Sequence, residues 1–132
     1  MSALQIAIDK LVATSAVTDI TTTAGIYPEE MPQGASPPCV VVNVVSGQDE
    51  HMLTGAGRYY RHRVTIDCIA ADPLVAQQLG DAVMGALDNN VNATIGDFTG
   101  VSTYFADTDL TDSANDRSAF RRVVDFFIRW RS

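Results

Sequence analysis

Four groups of residues in this chain are chemically suggestive. His51 and His62 are its two imidazoles, but they stand eleven positions apart and neither lies in a His-Glu-x-x-His pattern. Two zinc ligands on one helical turn are therefore lacking. Gly55-Ala-Gly57 has the look of a phosphate loop. No Lys-Ser/Thr follows, and the next element reads as a strand, whereas phosphate binding uses a helix N-terminus, so hairpin glycines are expected. Asp107, Asp109, Asp112 and Asp116 form the densest acidic cluster. Hard cations favour several carboxylates on one loop, but this spacing misses the alternate acids, central glycine and distant glutamate of a calcium loop. A solvated loop is expected. Cys39 and Cys68 lie inside apolar runs without a second Cys/His pair nearby, which predicts reduced structural thiols. A Ser-His-Asp or Cys-His site need not be close in sequence, yet nothing singles one out. The expectation is a non-enzyme with no catalytic residues, no bound metal and no cofactor.

One distribution is less ordinary. Arg58, Arg61 and Arg63 lie in one segment, Arg117, Arg121, Arg122, Arg129 and Arg131 in another, and only Lys10 lies elsewhere. Both segments alternate. Tyr60, His62, Val64, Ile66, Cys68 and Ala70 share one parity, with Arg61, Arg63, Thr65 and Asp67 on the other. Val124, Phe126, Ile128 and Trp130 oppose Arg121, Asp125, Arg129 and Arg131 in the same way. A period of two is that of a strand with one buried face. Arg61, Arg63, Arg121 and Arg129 should thus project from the sheet face opposite the core. The acidic stretches, Asp49 and Glu50 in one and Asp109 and Asp112 in the other, are natural partners for them on a neighbouring copy, because a planar guanidinium binds carboxylates bidentately.

The elements that position these groups are legible in outline. Leu4, Ile8, Leu11 and Val12 form a helical stripe behind Ser2, predicting a helix over about 3–14. Residues 14–38 read as an ordered linker because β-branched residues and Pro28, Pro32, Pro37 and Pro38 interrupt the pattern, with one short strand near 25–27. Cys39 to Ser46 is rich in valine and reads as a strand, and residues 47–57 read as a long exposed connection to the next strand over 58–70. Asp72-Pro73 starts a helix whose buried stripe is Val75, Leu79, Ala82, Val83, Ala86 and Leu87. Strands over 98–106 and 119–130 follow, joined by a polar acidic connection at 107–116. The expected fold is α+β, a mostly antiparallel four-stranded sheet with two helices packed on one face in the order α-β-β-α-β-β.

Size and charge exclude several functions. At 132 residues, 46% apolar and 19% charged, the chain fits one domain spanning 1–132. No apolar run is long enough to span a bilayer, and Met1-Ser-Ala-Leu-Gln lacks the pattern of a signal peptide, so a cytosolic chain with no membrane association is expected. A formal net charge of −7 argues against general nucleic-acid binding, which rests on excess positive charge.

Ala3-Leu4 and Leu11, Gly25-Ile-Tyr-Pro28, Pro32-Gln-Gly-Ala-Ser-Pro-Pro38 leading into Val40-Val-Val, and Ser46-Gly47 make up the first half of a longer pattern. Tyr60-Arg-His-Arg-Val-Thr-Ile-Asp-Cys-Ile-Ala70, Leu79-Gly-Asp-Ala-Val-Met-Gly-Ala-Leu87 and Arg121-Arg-Val-Val-Asp-Phe-Phe-Ile-Arg-Trp130 complete it. The whole resembles the tail-completion, or tail-terminator, proteins of tailed phages. That resemblance implies a non-enzymatic virion protein, assembled in the host cytoplasm, that forms a homo-oligomeric ring, a hexamer. The ring would cap the head-proximal end of the tail tube and meet the tail tube protein and a neck or head-completion (stopper) protein. DNA would pass through its lumen without specific binding. Another neck component, or a small host regulatory or ligand-binding domain, is the alternative reading.

Overall fold

In the computed structural model, residues 2–22, 25–30, 36–51, 58–96, 98–113 and 119–131 are described. Three helices and six strands follow in the order α1 (Ser2–Val12), α2 (Ser15–Thr21), β1 (Ile26–Pro28), β2 (Cys39–His51), β3 (Arg58–Ala70), α3 (Pro73–Leu87), β4 (Asn90–Ile95), β5 (Phe98–Ser113) and β6 (Phe120–Arg131). The strands form one mixed sheet in the spatial order β1-β2-β3-β6-β5-β4. β1 runs parallel to β2, and the remaining neighbours are antiparallel.

This overturns the expected four-stranded sheet with two helices. The additional elements are β4 and α2, and the short strand expected near 25–27 joins the sheet as β1, which the four-stranded count left out. α2 forms where β-branched residues argued against it, because Val17 and Thr21, four apart, bury one stripe, and the Thr21 hydroxyl donates back to the Val17 carbonyl. Tertiary burial outweighs a propensity difference of about 0.7 kcal/mol per residue or less. β4 lies where the chain leaves α3. Asp88 ends that helix, Asn89 turns the backbone at φ 60°, and Asn90 ties the strand down by donating to the Ala86 carbonyl and the Thr103 hydroxyl.

The expected helix start at Asp72-Pro73 is present, with the Asp72 carboxylate accepting from the Leu74 amide and Pro73 opening the first turn. α3 buries Ala76, Leu79, Gly80, Val83, Ala86 and Leu87. α1 buries Ala3, Leu4, Ile6, Ala7 and Leu11, while Val12 turns outward. α3 packs over β6, β3 and β5, and α1 lies against β1, β2, β3 and α3. Beneath them stand Val40 and Val42 of β2, Val64, Ile66 and Cys68 of β3, Val101 of β5, and Val124, Phe126 and Ile128 of β6, all fully buried. The alternation in β3 and β6 therefore faces the core as expected.

Both expected connections begin as strand. β2 continues to His51 in register with β3 down to Arg58, and β5 continues to Ser113 in register with β6 from Phe120. Asp49, Glu50, Asp109 and Asp112 thus lie on strand backbone rather than in loops. Residues 52–57, including Gly55-Ala-Gly57, and 114–118, including Asp116, lie outside the described residues.

Candidate interaction surface

The arginines of β3 and β6 are brought together by register. Arg61 stands opposite Arg129, and Arg63 opposite Phe127. All share the sheet face away from the helices. The Phe127 ring meets two cations, with the Arg61 and Arg63 guanidinium carbons 5.3 and 5.6 Å from its centroid, within cation–π range. Tyr104 of β5, opposite Phe127 in register, packs tilted against the same ring at 5.5 Å. A shallow cleft of about 240 Å³ opens here, lined by Ser46, Gly47, Arg61, Arg63 and Phe127. Arg63 also donates through Nε to Asp125 Oδ2 at 2.8 Å, with Nη2 at 2.8 Å from the same oxygen. Asp125 is only 7% exposed, and its Oδ1 accepts no hydrogen bond from the described residues. This end of the sheet is a cationic and aromatic platform.

Arg121 stands at the opposite end of the same face and is engaged within the chain. It meets Asp112, its register partner, through Nε at 3.1 Å and Nη2 at 2.6 Å, and approaches Asp67 at 3.6 Å. The guanidinium holds the Asp112 carboxyl below the usual carboxylate range. Burial instead pushes Asp67 up, against the pull of Arg121.

Asp109 is paired inside the chain as well, to a residue that period-two reasoning did not single out. Arg122 projects onto the helix face and is 7% exposed. Its Nε and Nη2 grip the two Asp109 oxygens at 2.9 and 2.8 Å, while Nη1 donates to Asp81 Oδ1 at 2.8 Å and to the Gln77 carbonyl at 3.0 Å. Four of the five N–H groups of the planar fork donate in these bonds, which offsets the cost of burying a guanidinium. Gly80 makes the room, since a Cβ there would collide with the Arg122 Cδ. The signal in the sequence was parity: Arg122 shares that of Val124 and Phe126. Hydrogen bonding to Arg122 holds Asp109 low and raises the arginine in turn.

The remaining predicted positions divide as follows. Asp49 and Glu50 lie on β2 opposite Tyr60 and Tyr59, with side chains outside the described set. Arg129 is exposed on β6. The structure thus gathers Arg61, Arg63 and Arg129, and separates them from Arg121, Asp112 and Asp109.

The residues weighed for chemistry serve packing. His62 meets the edge of Trp130 at 4.9 Å, Tyr60 stacks on Trp130 at 5.2 Å, and Gly47 lies so close to the imidazole that a Cβ would stand 2.6 Å from Nε2. Cys39 and Cys68 are buried and are not joined in a disulfide, and burial pushes the Cys68 thiol up to about 12. Among the described residues no three His, Cys, Asp or Glu side chains gather as metal ligands. No described helix is long and apolar enough to cross a membrane.

Comparison with known proteins adds to this geometry. No curated protein matches the chain in sequence. Among solved structures, the fold is similar to a chain in the virion of a native gene transfer agent (GTA) particle, with a TM-score of 0.62 at 19% identity, over 98% of this chain and 95% of that one. At that identity the likeness is one of fold. The model of the family described as "Tail completion protein gp17" matches residues 8–131, nearly the whole length. The chain therefore belongs to the tail completion protein gp17 family, structural proteins of the virion tail.

Proposed function

We propose that this chain, acting as one domain in six copies, closes into a ring that caps the head-proximal end of the tail tube and joins it to the neck. The observation that carries the reading is family membership over residues 8–131. A head-to-tail contact between identical copies closes into a ring when the rotation per copy divides the circle. Such a contact needs two different surfaces on one molecule. The cationic platform of Arg61, Arg63 and Arg129 supplies one, and the acidic end of β2 at Asp49 and Glu50 supplies the other. Arg63, paired with Asp125, and Arg121, Asp109 and Asp112 join the proposed contact as pairs already formed within each copy, so they shape the surface more than they supply charge to it. Exposed ion pairs contribute roughly 0–1 kcal/mol each, so orientation rather than affinity is their role.

The partners in this reading are further copies of the chain, the tail tube protein and a neck or stopper protein. The net charge of −7 suits a lumen through which DNA slides, since acidic walls repel the phosphate backbone. No catalytic step, metal or cofactor enters. Native mass spectrometry of the purified protein, alone and after co-sedimentation with isolated tail tubes, tests the reading. A closed species of six times 14.2 kDa that pellets with tubes supports it. A monomer that stays in the supernatant contradicts it.

A further inference from the structure

Neither border of the sheet is fully covered. β1 pairs with β2 only at Val40, Val41 and Val42, and β4 pairs with β5 only as far as Thr103. Beyond those points, among the described residues, no strand lies on the outer edge of β2 at 43–51 or of β5 at 104–113, where the Phe105 amide donates to the Asp88 carboxylate at 3.1 Å. The two open edges are of similar length and lie at diagonally opposite corners. An open strand edge presents a row of backbone donors and acceptors that a further strand can satisfy. We infer that successive copies join edge to edge, the outer edge of β2 in one copy pairing antiparallel with the outer edge of β5 in the next. This rests on the ring reading above and specifies its interface.

Three observations converge on a second copy as the occupant. The first is polarity. Successive antiparallel pairings from β2 through β3 and β6 leave β5 running opposite to β2. A copy shifted sideways and part of a strand length along, without being turned over, therefore brings the two edges together antiparallel. Such a stagger is the shear that a closed sheet requires. The second is apolar exposure at both edges: Val45 is 60% and Leu110 62% exposed.

The third is curvature. Each open edge begins near a register shift, between Val44 and Ser46 in β2 and between Phe105 and Asp109 in β5. Bulges bend strands and increase twist, which a closing sheet needs. The flanking strands are poorer candidates, β1 because it is three residues ending in a proline and β4 because its six residues carry two register shifts.

Hydrogen exchange read by mass spectrometry, on the assembled protein and on dilute monomer, tests the pairing. Amides in 43–51 and 104–113 should exchange at least about tenfold more slowly in the assembly, the remaining edges changing little. Oxidation of the double variant V45C/L110C should give a covalent ladder beyond dimer, while each single variant stays a monomer on a non-reducing gel. Cys39 and Cys68 are buried and contribute little background. Closed rings by native mass without protection at these two edges would overturn the edge pairing and leave the ring reading intact. Dimers from V45C alone would replace it with a two-fold β2 contact. Absence of any closed oligomer, with or without tail tubes, would overturn both.

Discussion

Arg122 is held by Asp109, Asp81 and the Gln77 carbonyl, and its environment explains why a neighbouring arginine behaves differently. Arg121 and Arg122 are adjacent on a strand, so one points away from the core and the other into it. Alternation placed Arg121 on the outer face. It does not by itself reveal how Arg122 is tolerated inside, because the neutralising groups, Asp81 and Asp109, come from α3 and β5. Replacing Arg122 with Met should cost about 2–3 kcal/mol in urea unfolding, below the 3–5 kcal/mol of a fully buried pair because Asp81 is largely exposed. The pH dependence follows from the depressed Asp109. Its contribution is present above the unfolded value of about 4 and is lost as pH falls through the lower folded value. Between about pH 5 and pH 2 the parent should thus lose more stability than R122M; parallel acid limbs would show that Asp109 draws nothing from Arg122. The thiols offer a separate check. With Cys39 and Cys68 buried and both held above the ordinary thiol range, a thiol reagent should label neither until the chain unfolds.

Helix α3 shows how one element joins core and surface. Leu79 fills the space above the sheet and is fully buried, so Leu79→Ala should destabilise by about 2–5 kcal/mol in the same unfolding experiment. Gly80, its neighbour, faces the sheet without a side chain so that Arg122 can lie beneath the helix. Gly80→Ala should gain up to about 1 kcal/mol of helix propensity and lose about 1–3 kcal/mol to the collision, a net destabilisation. The start of α3 at Asp72-Pro73 and the faces of β3 and β6 were legible in the sequence because each depends on local chemistry or strict alternation. The far halves of β2 and β5 were not. Gly47, Asp49 and Glu50, and Asp107, Asp109 and Asp112, have the composition of loops, since aspartate and glycine are poor strand formers. In β5 cross-strand arginines offset that preference, with Asp112 directly opposite Arg121 and Asp109 gripped by Arg122. α2 and β4 escaped for a related reason, being short elements held by burial and by the bonds of Asn90.

The molecule as a whole is a six-stranded mixed sheet with its helices on one face, its cationic platform at one end of the other face and its open strand edges at opposite corners. An expectation of four sheet strands left no place for those edges, because β4 was absent from it and the short strand near 25–27, now β1, was not assigned to the sheet. The account built on this arrangement is a ring whose affinity resides in backbone and apolar contact and whose charges set orientation. Charges of that kind are screened over about 8 Å at physiological salt. Raising salt should therefore slow assembly several-fold while leaving finished rings intact, a contrast that light scattering can follow; dissolution of finished rings by moderate salt would assign the affinity to ion pairs instead. Negative-stain electron microscopy of isolated tail tubes mixed with the purified protein tests the central claim most directly. The account predicts a ring seated on the head-proximal end of each tube, and protein spread along the tube walls, or bare tube ends beside free monomer, would contradict it.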